Sequence, residues 1–261
     1  MSGSTLALSA AGSLLTSALY LYIGHVLRRR SVSQEARLAN RMFVLWWQAL
    51  GSLGLAGVGI LLLHMAGGLE VWIYQTFLTI GLLGLFLALW GLQFYLVYLY
   101  TGSKRSFLPL GVFYGLLFVA TMALMEFIGP PERLVDNGWS LQREPDVDLG
   151  PAFGLAFSLL IIGPQLVAAI AYARLFAKTR DRTQRYRIAL VTGSIIVWFG
   201  SGLVATGAQV SDDLAYQLFS RLIGVAGALV ILMAYKPPHW IRAKWGIHSI
   251  TEDDQARSVL A

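Results

Sequence analysis

The sequence predicts an all-α polytopic membrane protein, a bundle of seven transmembrane helices with its N-terminus outside and its C-terminus in the cytoplasm. Three observations carry this. Of 261 residues, 56% are hydrophobic and only 13% charged, with a mean hydropathy of +0.63, whereas soluble domains carry about 25% charged residues. Seven apolar stretches are each long enough to cross a bilayer as a helix, for which about 18 residues suffice. The basic residues fall almost entirely on one side of the resulting topology.

The stretches are Thr5 to Leu27, Met42 to Ala66, Val71 to Thr101, Phe107 to Ile128, Pro151 to Phe176, Ile188 to Gln209 and Leu214 to Tyr235. They define a membrane domain over residues 1–235, followed by a cytoplasmic juxtamembrane segment and acidic tail over 236–261. With the N-terminus outside, the inner segments hold Arg28, Arg29, Arg30, Arg37, Arg41, Lys104, Arg105, Arg174, Lys178, Arg180, Arg182, Arg185, Arg187, Lys236, Arg242, Lys244 and Arg257. The outer segments hold Arg133 and Arg143, and Arg221 lies within the last stretch. Lysine and arginine are retained on the cytoplasmic side, so this partition selects both the odd span count and the orientation. The first stretch has no basic residue before it and three arginines after it, the reverse of a secretory signal. It reads as a retained anchor. Localisation to the cell membrane follows.

Tyr20, Tyr22, Trp46, Trp47, Tyr95, Tyr98 and Tyr100 fall near the inner boundary, and Trp72, Tyr74 and Tyr216 near the outer one. Aromatic belts occupy these depths, so they read as interfacial anchors. Close helix approach is expected at Gly51, Gly54 and Gly57, at Gly81, Gly84 and Ala88, at Gly111 and Gly115, and at Gly224, Gly227 and Ala228, because small residues let membrane helices meet. The third stretch, at about 46 Å if helical, exceeds a hydrocarbon core of about 30 Å and must tilt or project.

Several chemistries are disfavoured. A retinal Schiff base needs a lysine within a span, but Lys104, Lys178, Lys236 and Lys244 all lie in inner segments. No cofactor is expected. The absence of cysteine removes thiolate ligands and nucleophiles. No histidine pair stands at zinc-ligand spacing. The basic loops serve topology and anionic headgroups rather than nucleic acid, and an enzyme is the least favoured class.

Polar residues inside the spans are the positive signal, since they are costly there and tend to face the bundle interior. Asp213, Gln217 and Arg221 are spaced i, i+4, i+8 on one stripe of the seventh helix. His64, Gln75, Glu126, Thr206 and Gln209 lie at comparable depth on other spans, and Ser9, Ser13 and Ser17 form a line on the first. Together they suggest an outward-facing pocket for a small, anionic extracellular ligand with Arg221 as its charge partner. The structural alternative is that Arg221 pairs with Glu126 or Asp213. The outer segment Pro130 to Gly150, with five acids and two bases, is placed to cap such a pocket. In the inner half, Gln48 and Gln93 are the chief polar groups.

The fifth stretch contains Pro164 and Gln165. Proline removes a helix hydrogen bond and kinks the chain, making these two residues a candidate hinge. A Pro-Gln pair in the fifth of seven helices resembles one half of the PQ-loop transporters, although the first helix has no second copy. After the seventh stretch, "KPPHWIRAKW" (Lys236 to Trp245) reads as a helix stop followed by a short interfacial helix. In it Trp240, Ile241 and Trp245 meet the headgroup boundary, while Arg242 and Lys244 turn to water and phosphate.

Seven helices, a basic third inner loop and a Pro-Pro-His-Trp-Ile-Arg exit (Pro237 to Arg242) resemble the seven-helix membrane input domains of prokaryotic sensor histidine kinases. That resemblance implies a sensor. Because no kinase or other output domain follows, it would signal through a separate cytoplasmic or membrane partner. The competing reading is a small-solute or lipid transporter hinged at Pro164. The two differ in whether polar groups continue through the inner half.

Overall fold

Long apolar runs become helices in a membrane because every backbone polar group must be satisfied within the segment. The computed structural model describes residues 2–29, 34–128, 134–136, 141–143, 163, 166–210 and 214–247, with side chains of 5–29, 34–125, 163, 166–197, 219 and 222–247. The elements are α1 (Ser2–Arg28), α2 (Arg37–Met65), α3 (Val71–Thr101), α4 (Phe107–Ile128), β1 (Leu134–Asp136), β2 (Leu141–Arg143), α5 (166–178), α6 (Arg182–Val210), α7 (Leu214–Tyr235) and α8 (His239–Trp245). Four helices among the described residues are long and apolar enough to cross a membrane, and α7 with α8 makes a fifth if that pair, bent by 50°, is one span. The protein is therefore a multi-pass helical membrane protein. The short β1–β2 hairpin, with Leu134 opposite Arg143, was not expected, although the Asn137-Gly138 pair between its strands is a hairpin cue.

The helices pack in the order α4–α3–α2–α1–α7–α6. α5 joins the shared core through Ala168 and Tyr172. Close approach of α2 to its neighbours rests on glycines. A Cβ at Gly91 would stand 2.5 Å from the Met42 carbonyl oxygen, and one at Gly84 3.1 Å from that of Ala49. On the α1 side, a Cβ at Gly54 would meet Ser17 Oγ at 2.1 Å, and one at Gly51 would meet Leu21. Ser17 donates to the Ser13 carbonyl at 2.7 Å, and both Ser9 and Ser17 are fully buried. Of the serine line of α1, Ser17 thus packs against α2. Among the described residues nothing stands within contact of a Cβ at Gly57, Gly115 or Gly224, whereas Gly91 and Gly24 are close contacts.

One end of the bundle is bound together by hydrogen bonds to main-chain carbonyls. Asn40 Nδ2 donates to Leu27 O at 3.4 Å, Tyr98 to Glu35 O at 3.1 Å and Tyr186 to Met233 O at 3.2 Å. Tyr100 donates to Ala171 O. Lys236 Nζ donates to Tyr22 Oη at 2.6 Å and lies over the same ring. These ties draw the adjoining ends of α1, α2, α3, α5, α6 and α7 together, so Arg28, Arg37, Lys104, Lys178, Arg182 and Lys236 share one basic end. Asp181 caps α6 by accepting from Gln184 N at 2.7 Å, and Arg185 lies 4.7 Å from the Phe176 ring.

Behind that end lies the main core. Tyr20, Phe43, Trp46 and Trp47 are buried there with Leu92, Tyr172, Ile195, Ile231 and Tyr235. Phe43 meets four rings: Tyr95 stacked at 4.2 Å, Trp46 at 5.5 Å, and Trp47 and Tyr235 edge-on at 6.1 and 6.3 Å. This corrects the reading of the inner aromatics as a single anchoring belt. Tyr20, Trp46, Trp47 and, at the opposite end, Tyr74 are buried inside the protein; Tyr22, Tyr100 and Trp72 are exposed as anchors would be. The difference arises because aromatic residues at interfacial depth also occur on the faces that helices turn toward each other, and residue type does not report the face. α4 packs on α3 through the Trp90, Phe86 and Tyr114 group, with Trp90 Nε1 donating to Phe107 O at 3.2 Å. Its other face is apolar and exposed, Leu116 by 65%, as a lipid-facing helix requires.

α7 stops at Tyr235 ahead of Pro237 and Pro238, and α8 ends where Gly246 takes φ +64°. Trp240 and Trp245 are 64% and 59% exposed and Lys244 is exposed, whereas Ile241 and Arg242 are half-buried and Ile247 is buried. The short helix after the proline stop is present as expected. Its inner side is Ile241 and Arg242, so Arg242 is turned partly toward the protein.

Candidate functional site

Of the residues expected to form an outward-facing pocket, Ser9, Ser13, Ser17, His64 and Gln75 have described side chains. His64 and Gln75 are half-buried and flank the α2–α3 connection at the end opposite the basic one. The turn that positions His64 follows from Gly67, whose φ of +71° suits glycine. Gly67 N donates to His64 O at 2.9 Å and Gly68 N to Leu63 O at 3.0 Å, the pair of bonds that closes a helix C-terminus in a Schellman turn. Gln75 sits in the first turns of α3, where Tyr74 N donates to Glu70 O at 3.0 Å and Trp72 Nε1 donates to the Glu70 carboxylate. His64 also has a partner of its own.

Glu126 belongs to α4, Gln209 to α6, and Gln217 and Arg221 to α7; their side chains lie outside the described residues. Asp213, Pro164 and Gln165 lie outside them altogether. Among the described residues α4 is held by α3, while α7 packs on α1 and α6. Gly224 and Ala228, which continue the Arg221 stripe toward the basic end, differ in surroundings. Gly224 has no described neighbour within contact of an added Cβ, and Ala228 is fully buried in the main core. The described part of the stripe thus ends in the packed core at Ala228.

Within the core there is a small cavity of about 10 Å³ between α1, α2, α6 and α7. Tyr20, Trp47, Ser194, Gly227 and Ile231 form part of its wall. Sequence reasoning had Trp47 as an anchor and did not single out Ser194.

Gln48 and Gln93, the other polar groups toward the basic end, are half-buried, and Gln48 is a contact between helices, where a Cβ at Gly24 of α1 would stand 2.9 Å from its Cγ. Among the described residues, buried polar side chains toward this end include Ser17, Thr183 and Ser194, and the Trp47 indole nitrogen and Arg187 Nε are buried there too. Compared with known proteins, the chain matches no family model and no curated protein.

Proposed function

We propose that this chain is a receptor-like or sensory protein of the cell membrane. In this reading it has seven transmembrane helices with the N-terminus outside. A small, anionic ligand binds in the outer half of the bundle, with Arg221 as charge partner and Gln217, Asp213, Glu126, Gln75, His64 and Gln209 around it. The signal passes to a separate partner at the basic end. The resemblance of the proline exit to sensor kinase input domains points the same way.

The observation that carries the reading is the aromatic core closing the basic half of the bundle. A transporter needs a polar path that opens alternately to each side, whereas a receptor pocket can end blind. The ring cluster centred on Phe43, packed among side chains of α1, α2, α3, α5, α6 and α7, favours the blind pocket. The gathering of the basic residues at that same end supports its cytoplasmic placement.

The test is thermal-shift screening of small carboxylates and phosphates against the full chain in detergent. A ligand at 100 times its Kd stabilises by about 2.7 kcal/mol, so hits are expected to raise Tm in the parent and to vanish in Arg221→Ala. Identical hits in both would reduce Arg221 to a structural ion-pair member. Sustained solute flux in proteoliposomes, abolished by Gln165→Leu, would instead establish the transporter hinged at Pro164 and Gln165.

A further inference from the structure

A buried tryptophan normally finds an acceptor for its indole N–H. Trp47 does not: it is 2% exposed, and its Nε1 meets no hydrogen-bond partner. A donor left unpaired in a low-dielectric interior is costly, so its neighbourhood bears inspection. Trp47 borders the cavity between α1, α2, α6 and α7, whose volume of about 10 Å³ is close to what one water molecule occupies on this scale. Ser194 of α6 forms another part of the wall. Its hydroxyl proton is committed to Val191 O at 2.8 Å, which leaves the oxygen lone pairs able to accept.

We propose that this cavity is a binding site for a single water molecule, which accepts from Trp47 Nε1 and donates to Ser194 Oγ. The space is too small for an organic ligand. A metal cation is disfavoured because no carboxylate, imidazole or thiolate lines the wall. The wall is mostly hydrocarbon, and the lining residues that carry polar atoms are Tyr20, Trp46, Trp47 and Ser194; a buried water needs two or more such partners. The water supplies what direct packing does not, a polar link from α2 to α6 across the bundle centre. Gly227 on the α7 side lets α7 pack closely on α6, where a Cβ would approach Val197 Cγ1 at 3.3 Å. The inference concerns the packed half of the bundle and stands independently of the sensory reading.

Indole-¹⁵N tryptophan labelling of the full chain in nanodiscs tests it. The chain has eight tryptophans, and the Trp47 resonance is the one that disappears in Trp47→Phe. If that variant fails to fold, replacing the other tryptophans one at a time identifies it by elimination. The expected result is a cross-peak from the Trp47 N–H to a long-lived water, and a hydrogen-bonded chemical shift. Ser194→Val, which replaces the acceptor with a methyl group, should remove the water cross-peak. A Trp47 resonance at the position of a free indole, with no water cross-peak in the parent, would overturn the proposal.

Discussion

Gly91→Leu is expected to be the most damaging single substitution in the helix interfaces. At this crossing the partner is main chain: a Cβ would stand 2.5 Å from Met42 O and 3.2 Å from Trp46 N. A flexible side chain could swing aside, but a helix backbone moves only as a rigid unit, so α2 and α3 must separate. Separation would forfeit dispersion contacts all along the pair, and these, rather than exclusion from water, drive helix association in lipid. Overpacking typically costs about 1–3 kcal/mol, and the backbone contact places Gly91→Leu at or above the upper end. For a chain of this size, 3 kcal/mol corresponds to a fall in Tm of about 6–12 °C. Thermal unfolding followed by size-exclusion chromatography measures it. Gly115→Leu is the matched control, since among the described residues nothing stands within contact of a Cβ at Gly115 on α4, and it should leave Tm within about 2 °C of the parent.

Phe43→Ala should be the largest effect within the aromatic core. Phe43 is 4% exposed and joins rings from α2, α3 and α7, so no one helix can close the space it leaves. Soluble proteins lose about 3–5 kcal/mol for Phe→Ala in a core. In a bilayer the ring of a dissociated helix still sits in hydrocarbon, which removes much of the transfer contribution and leaves the cavity. A void of roughly 100 Å³ at about 24 cal/mol per Å³ gives about 2 kcal/mol. Phe43→Leu, which keeps most of the volume, should recover more than half of the loss. An equal loss for both variants would mean that ring geometry, not filled space, holds the cluster together.

Much of the helical layout was legible because hydrophobic length is a direct readout of bilayer thickness. The apolar stretches Val71 to Thr101, Phe107 to Ile128 and Leu214 to Tyr235 coincide with α3, α4 and α7. The ends of other helices were less legible. α2 begins at Arg37 and α6 at Arg182, five and six residues before the apolar stretches, because arginine and glutamine are good helix formers and Asp181 supplies an N-terminal cap. Hydropathy marks where a helix enters lipid, not where its backbone bonds begin.

Face assignments were harder to read. Ser9 and Ser17 carry hydroxyls at a regular spacing, which suits a pocket wall and a helix seam equally; for Ser17 the glycines opposite, Gly51 and Gly54, place it in the seam. Gly91 stands seven residues from Gly84, on the same helix face, and that spacing could have flagged it. Trp47 was assigned by residue type to the interface, yet its place in the core depends on where α1, α6 and α7 pack. Of the candidate pocket, the structure describes His64 and Gln75 at a common end of the bundle and shows the Arg221 stripe passing into buried Ala228.

The orientation of the two ends underlies the functional reading: the polar end must face outside and the aromatic-sealed basic end the cytoplasm. The chain contains no cysteine, so single-cysteine variants can be probed without background. Gly68→Cys, Lys104→Cys and Ser258→Cys, treated in intact cells with a membrane-impermeant maleimide, sample the α2–α3 connection, the α3–α4 connection and the tail. Gly68→Cys should label in intact cells, and the other two only after permeabilisation. Labelling of Ser258→Cys from outside, or of Lys104→Cys before Gly68→Cys, would contradict the seven-span arrangement with its basic end in the cytoplasm.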